Sequence, residues 1–150
     1  MTARDRFRYI EKCLYNYCPN LARIEVLRFD LANLQRYGDV HVQTYAQNTR
    51  THGSHSDPPA EYESQCSRLD AEISRLMRIT NPITLMLSHL DNPNAGDASR
   101  KKALKAVYHA VYEGGNPMDE ASEILGMSRK TCYARRIELV RMAGEYLGVM

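Results

Sequence analysis

A chain of 150 residues can bury one core, or one small domain with a long helical arm. It holds no tryptophan, two phenylalanines and ten tyrosines, so the interior is expected from Leu, Ile, Val, Ala and tyrosine rings. No stretch approaches the roughly 18 consecutive apolar residues of a membrane span, and MTARDRFRYIEK lacks the apolar run of a signal peptide, so a soluble cytoplasmic protein is expected.

The formal net charge of +2 is unevenly placed. Residues 1–98 carry 11 Lys+Arg against 12 Asp+Glu, whereas residues 99–150 carry 9 against 6. The basic excess therefore sits at the C-terminal end. Cys13, Cys18, Cys66 and Cys132 are scattered in a way that suggests no disulfide framework, and reduced thiols are expected.

In chain order, Phe7, Ile10, Leu14, Tyr17, Leu21 and Ile24 alternate spacings of three and four, and the stripe then shifts to Leu27, Leu31 and Leu34. That periodicity predicts helix, interrupted at Pro19 and ended by Gly38. From Asp39 to Pro59 the sequence is polar and includes QNTRTHGSHSDPP, which predicts a long loop. Helix resumes near Ala60, where Tyr62, Cys66, Leu69, Ile73, Leu76, Thr80, Ile83, Leu87 and Leu90 form a heptad seam. Its partner is either the earlier stripe, folding back antiparallel, or a second copy of the chain in a homodimer. Asn81-Pro82 lies inside the seam and predicts a bend or break with Asn81 as a new N-cap.

DNPNAGD, residues 91–97, is rich in turn formers and reads as a linker within 91–98. Ser99 to Glu113 then predicts a helix with Leu104, Val107, Tyr108 and Val111 inward, closed by Gly114-Gly115. Arg100, Lys101, Lys102 and Lys105 crowd its exposed start. The next helix is expected to open with Asn116 as cap and Pro117 in the first position, with Asp119 and Glu120 in the first turn. Leu125 points inward, Gly126 stops the helix, and Met127 plugs the joint.

Ser128 caps the last helix. Tyr133, Ile137, Val140, Gly144 and Leu147 supply its apolar stripe, with Cys132, Leu139, Ala143 and Tyr146 beside them. The opposite face carries Lys130, Ala134, Arg135 and Arg141. A helix that buries one side and presents small and basic residues on the other has the shape a major groove admits. The fold expected is all-α: an N-terminal antiparallel, coiled-coil-like hairpin over 1–90, then a three-helix helix-turn-helix unit over 99–150.

Little points to catalysis. His52 and His55, or Cys13 with Cys18, have metal-like spacing, but a zinc site needs four ligands held by rigid neighbours. Cys132, His89 and His109 read as packing or surface residues, and no glycine loop cradles a phosphate. Neither an enzyme nor a cofactor is expected.

The order of parts, with SDPPAEYES leading into a heptad helix and KKALKAVYHAVYEGGNPMDEASEILGMSRKTCYARRIELVRMAGEYL after it, resembles the phage and prophage late-gene transcriptional activators of the ArpU and RinA type, which are similar to region four of sigma factors. The resemblance implies an activator that binds double-stranded DNA near a promoter, touches host RNA polymerase and works at the nucleoid of a bacterial host. Carried over, Ser128, Arg129, Lys130, Thr131 and Tyr133 become the DNA-reading positions. Arg129 or Lys130 is then expected to pair with guanine edges, and Arg136, Arg141, Lys101 and Lys102 to contact phosphates, with Arg135 on the same helix face. Two alternatives remain open: a small terminase-like DNA-packaging subunit, and a helical module that binds only protein.

Overall fold

The computed structural model describes residues 1–47, 58–92 and 97–150, and among them every regular element is helical. Helix α1 spans Ala3–Tyr15 and α2 spans Tyr17–Gln47. Thr2 and Asp5 start α1 by a reciprocal capping box: Asp5 N–H donates to Thr2 Oγ1 and Thr2 N–H to Asp5 Oδ2, each at 3.1 Å. The break before α2 falls at Asn16, three residues earlier than expected. Asn16 folds its amide back onto the Lys12 carbonyl at 2.9 Å. Pro19 is instead the third residue of α2, inside the first turn, where its missing N–H leaves no helical bond unmade.

Gly38 does not end α2, which continues to Gln47 and so takes up the first part of the expected 39–59 loop. A single interior glycine costs only about 1 kcal/mol, too little to stop a helix by itself. His52 and His55 lie outside the described residues, as do residues 93–96 of the expected linker. Helix α3 spans Pro58–Asp91 and runs through Pro82 without a break. Pro82 cannot donate to the Arg78 carbonyl, yet Thr80 and Ile83 on either side are 1% and 0% exposed. Packing on both flanks holds the helix where propensity alone predicts an interruption. Every position of the heptad seam is buried or half-buried.

The chain forms two compact units. The smaller is Leu21–Met77. In it Ile24 and Leu27 of α2 pack with Ile73 and Leu76 of α3, flanked by Leu31, Leu69 and Met77. The two helices run in opposite directions: Arg23 faces Glu72 at 3.8 Å, and farther along α2 the Gln35 carbonyl accepts from the Tyr62 hydroxyl at 3.4 Å. Full burial of a Leu or Ile contributes about 1.5–3 kcal/mol. Leu21, expected inward, is 37% exposed.

The larger unit joins Met1–Asn20 to Arg78–Met150, a different division from the expected boundary at 91–98. Helix α4 is Ala98–Val107, capped by Asp97, which accepts from Arg100 N–H at 3.3 Å. It passes directly into a π-helical segment, Tyr108–Glu113, where the sequence predicts a continuous α-helix. The wide turn ends with Gly114 N–H donating to the His109 carbonyl at 2.8 Å, and it places Tyr108, Ala110, Val111 and Tyr112 in the core.

Two helices close the unit: α5, Met118–Leu125, and α6, Arg129–Leu147. Asn116 does not cap α5. Its side-chain amide donates to the Ala110 carbonyl at 2.9 Å, while Pro117 takes the cap position without a side-chain bond. Helices α1, α4 and α5 all pack on α6. Gly144 lets α1 come close, because a Cβ there would stand 2.7 Å from Ile10 Cδ1.

Candidate nucleic-acid interface

The joint between α5 and α6 is built by three consecutive residues. Gly126 has a φ of 62°, the left-handed conformation that admits glycine without strain. The Met127 N–H then reaches the Ser122 carbonyl at 3.0 Å and Gly126 N–H the Glu123 carbonyl at 3.2 Å, which satisfies the last carbonyls of α5. Ser122 is buried, and its hydroxyl donates to the Asp119 carbonyl at 2.8 Å. Ser128 restarts the chain as N-cap of α6, accepting from Thr131 N–H at 3.2 Å and donating to the Thr131 hydroxyl at 2.8 Å. Met127 packs half-buried against the core beneath this turn.

The rotation of α6 differs from expectation. Cys132, Leu139, Val140, Ala143 and Gly144 are buried, whereas Tyr133, Ile137 and Tyr146 are 37%, 41% and 37% exposed. Between Cys132 and Leu139 the inward stripe is filled by Arg136. Its Nε donates to Glu11 Oε1 of α1 at 2.8 Å, and the Tyr112 hydroxyl donates to the same oxygen at 2.8 Å. Arg136, expected on phosphate, thus uses its charge inside the unit. Burial opposes that charge, but hydrogen bonds to Glu11 and Tyr112 outweigh it and hold the guanidinium firmly protonated. Burial, followed by the Glu11 charge, pushes the Tyr112 phenol well above its ordinary range. Burial likewise raises the Cys132 thiol.

On the outer side, Arg129, Lys130, Thr131, Tyr133, Ala134, Ile137 and Arg141 are exposed. Arg129 Nε lies 3.0 Å from Asp119 Oδ1 of α5, and its guanidinium sits 5.7 Å from the centre of the Tyr133 ring. The Tyr133 contact, then Asp119, raises the Arg129 pKa. Lys130 and Arg141 have no ion pair among the described residues. Arg135 is drawn sideways onto Glu138 at 3.0 Å, and Glu138 is also paired with Arg100 of α4. The first acid of α6 is therefore neutralised within the unit. An open hollow of about 450 Å³ lies beside this face, lined by Ala134, Ile137, Arg141, Met142, Arg100 and Glu138 among others.

The expected phosphate-binding lysines part ways. Lys102 is exposed, whereas Lys101 turns its Nζ into a buried position without a hydrogen-bond partner. Lys105 pairs with Asp91. The structure thus gathers Ser128, Arg129, Lys130, Thr131, Tyr133 and Arg141 on one helix and removes Arg136 to the interior. It adds Ile137, which the expected stripe had buried. Stripes through Tyr133 and Ile137, or through Cys132 and Arg136, both meet three-and-four spacing, and an arginine within the second hid it.

Among the described residues no group of three or more His, Cys, Asp or Glu side chains could hold a metal ion, and no helix is long and apolar enough to cross a membrane. Cys13, Cys18, Cys66 and Cys132 are free thiols. No protein-family model, characterised protein or solved structure matches this chain.

Proposed function

We propose that the protein is a sequence-specific, double-stranded DNA-binding transcriptional regulator whose α5 and α6 act as a helix-turn-helix, with Leu21–Met77 as a separate helical hairpin. The observation that carries the reading is the outer face of α6, where Arg129, Lys130, Thr131, Tyr133, Ala134, Ile137 and Arg141 are exposed and no acid intervenes between Arg129 and Ile137. Small, apolar and cationic groups on a helix start suit base edges and the phosphates beside them. Arg129, held by Asp119 and Tyr133, is positioned as a guanine reader. Lys130, Arg141 and Lys102 supply phosphate contacts. The resemblance to phage late-gene activators extends the reading to promoter-proximal activation with host RNA polymerase.

The test is binding of the purified chain to a random duplex pool, sequenced after selection and titrated with salt. An enriched motif whose affinity falls steeply with salt is expected. Arg129→Ala should relax specificity at one position by about 1–3 kcal/mol of discrimination. Lys102→Ala should weaken binding to all sequences alike and lower the salt slope. Absence of retention even at low salt would overturn the reading, and a ring of many copies in solution would turn it towards DNA packaging.

A further inference from the structure

The outer face of α6 has an apolar centre between its cations, and the role assigned to that centre rests on the DNA-binding reading. Ile137 is 41% exposed, in mid-helix, with Ala134 one turn before it. Lys130 stands on one side and Arg141 on the other, both exposed and without ion pairs among the described residues. Glu138, the adjacent acid, is held by Arg100 and Arg135. The face therefore reads cation, methyl, branched alkyl, cation.

At about 1.5 Å of rise per residue, Lys130 and Arg141 are about 16 Å apart along the axis. That exceeds the roughly 12 Å width of a major groove, so the two charges suit its phosphate rims while Ala134 and Ile137 lie between. Ala134 and Ile137 are about 4.5 Å apart along the axis, close to the about 3.4 Å step between neighbouring base pairs. A protein surface that offers alkyl groups at the floor of a major groove meets one apolar feature there, the C5-methyl group of thymine.

We infer that Ile137, with Ala134 beside it, reads the thymine 5-methyl group on one or two neighbouring base pairs at the centre of the DNA site. Sequence preference there is set by apolar contact, with hydrogen-bonding cations at the flanks.

Uracil differs from thymine only in that methyl group, so the experiment replaces each thymine of the selected duplex by uracil in turn. Dissociation constants are measured at one salt concentration for the intact chain, Ile137→Ala and Ile137→Val. For the intact chain, uracil at one or two adjacent central positions should weaken binding about fourfold, the value of one buried methyl-sized group. Ile137→Ala should bind the thymine duplex about as weakly as the intact chain binds the uracil duplex, with little further loss on uracil. Ile137→Val, which keeps the branched carbon, should retain part of the discrimination, and circular dichroism checks that both variants keep their helix content. Uracil tolerance at every position, or full uracil sensitivity in Ile137→Ala, overturns this inference while a selected motif keeps the DNA reading standing. Failure to select any motif overturns both.

Discussion

In the smaller unit the buried residues described between α2 and α3 are aliphatic, Ile24 and Leu27 against Ile73 and Leu76. In the larger unit the inward stripe of α6 has the same helical spacing but admits Arg136 between Cys132 and Leu139. The aliphatic seam needs only area removed from water, and many partners can supply that. Arg136 needs one particular carboxylate, because a buried charge without its partner costs far more than a poor apolar fit. A charged residue in a core stripe therefore commits the chain to a specific neighbour. Here it ties α1 to α6 and the π-helical turn.

The contrast breaks most visibly at Arg136 itself. Arg136→Ala leaves the half-enclosed Glu11 carboxylate with the Tyr112 hydroxyl but no cation, and should cost about 3 kcal/mol in denaturant unfolding. The triple replacement Glu11→Leu, Arg136→Met and Tyr112→Phe leaves no polar side chain of this network stranded, makes the site resemble the aliphatic seam and should recover most of that loss. If it does not, the charge pair stabilises the unit beyond its apolar equivalents.

Gly144→Ala comes next, because the new methyl meets Ile10 Cδ1 and Met150. A loss of about 2 kcal/mol is expected from overpacking where α1 crosses α6, and Ile10→Val in the same chain should relieve part of it. A smaller effect is read in alkali. The Tyr112 phenol has a raised pKa when folded, so its contribution is complete below the unfolded value of about 10 and is lost as pH rises above that. Stability should fall by up to about 1.4 kcal/mol per pH unit above pH 10 on its account, and Tyr112→Phe should flatten that slope. Leu76→Ala should leave it unchanged.

Arg129→Ala should have the least effect on folding, with a denaturation midpoint close to that of the intact chain, because its pair with Asp119 is exposed. On the proposed DNA-binding reading, its consequence belongs in selectivity between duplexes. A large stability loss there would mean that the outer face of α6 is structural after all.

Much of this architecture was legible from spacing. The heptad from Tyr62 to Leu90 gives the inward side of α3 directly, because nine residues in strict alternation leave one rotation of the helix, although Met86, also fully buried, lies beside that seam. The α5–α6 joint was equally readable, since Gly126 and Ser128 act through their own backbones and immediate neighbours. What escaped depended on distant groups. Arg136 is inward only because Glu11, 125 residues away in sequence, is there to meet it. The one-residue shift at Asn116 comes from the π-helical turn, whose carbonyl at Ala110 captures the amide expected to cap α5. Ile137 is exposed for the same reason that Arg136 is not: once the arginine turns inward, the helix rotates the isoleucine out.

The Glu11–Arg136 contact also bears on how the chain assembles. Residues 1–20 and 78–150 share one unit, with the smaller unit, residues 21–77, falling between them in sequence. During synthesis α1 emerges before α6 and cannot meet it until the smaller unit and the helices between have been made. Closing so long a loop around a required pairing slows the search for the native state relative to a bundle of sequential neighbours. The apolar face of α1, with Ile10 and Leu14, stays uncovered through that interval, and a nascent chain in this state is a natural client for chaperones.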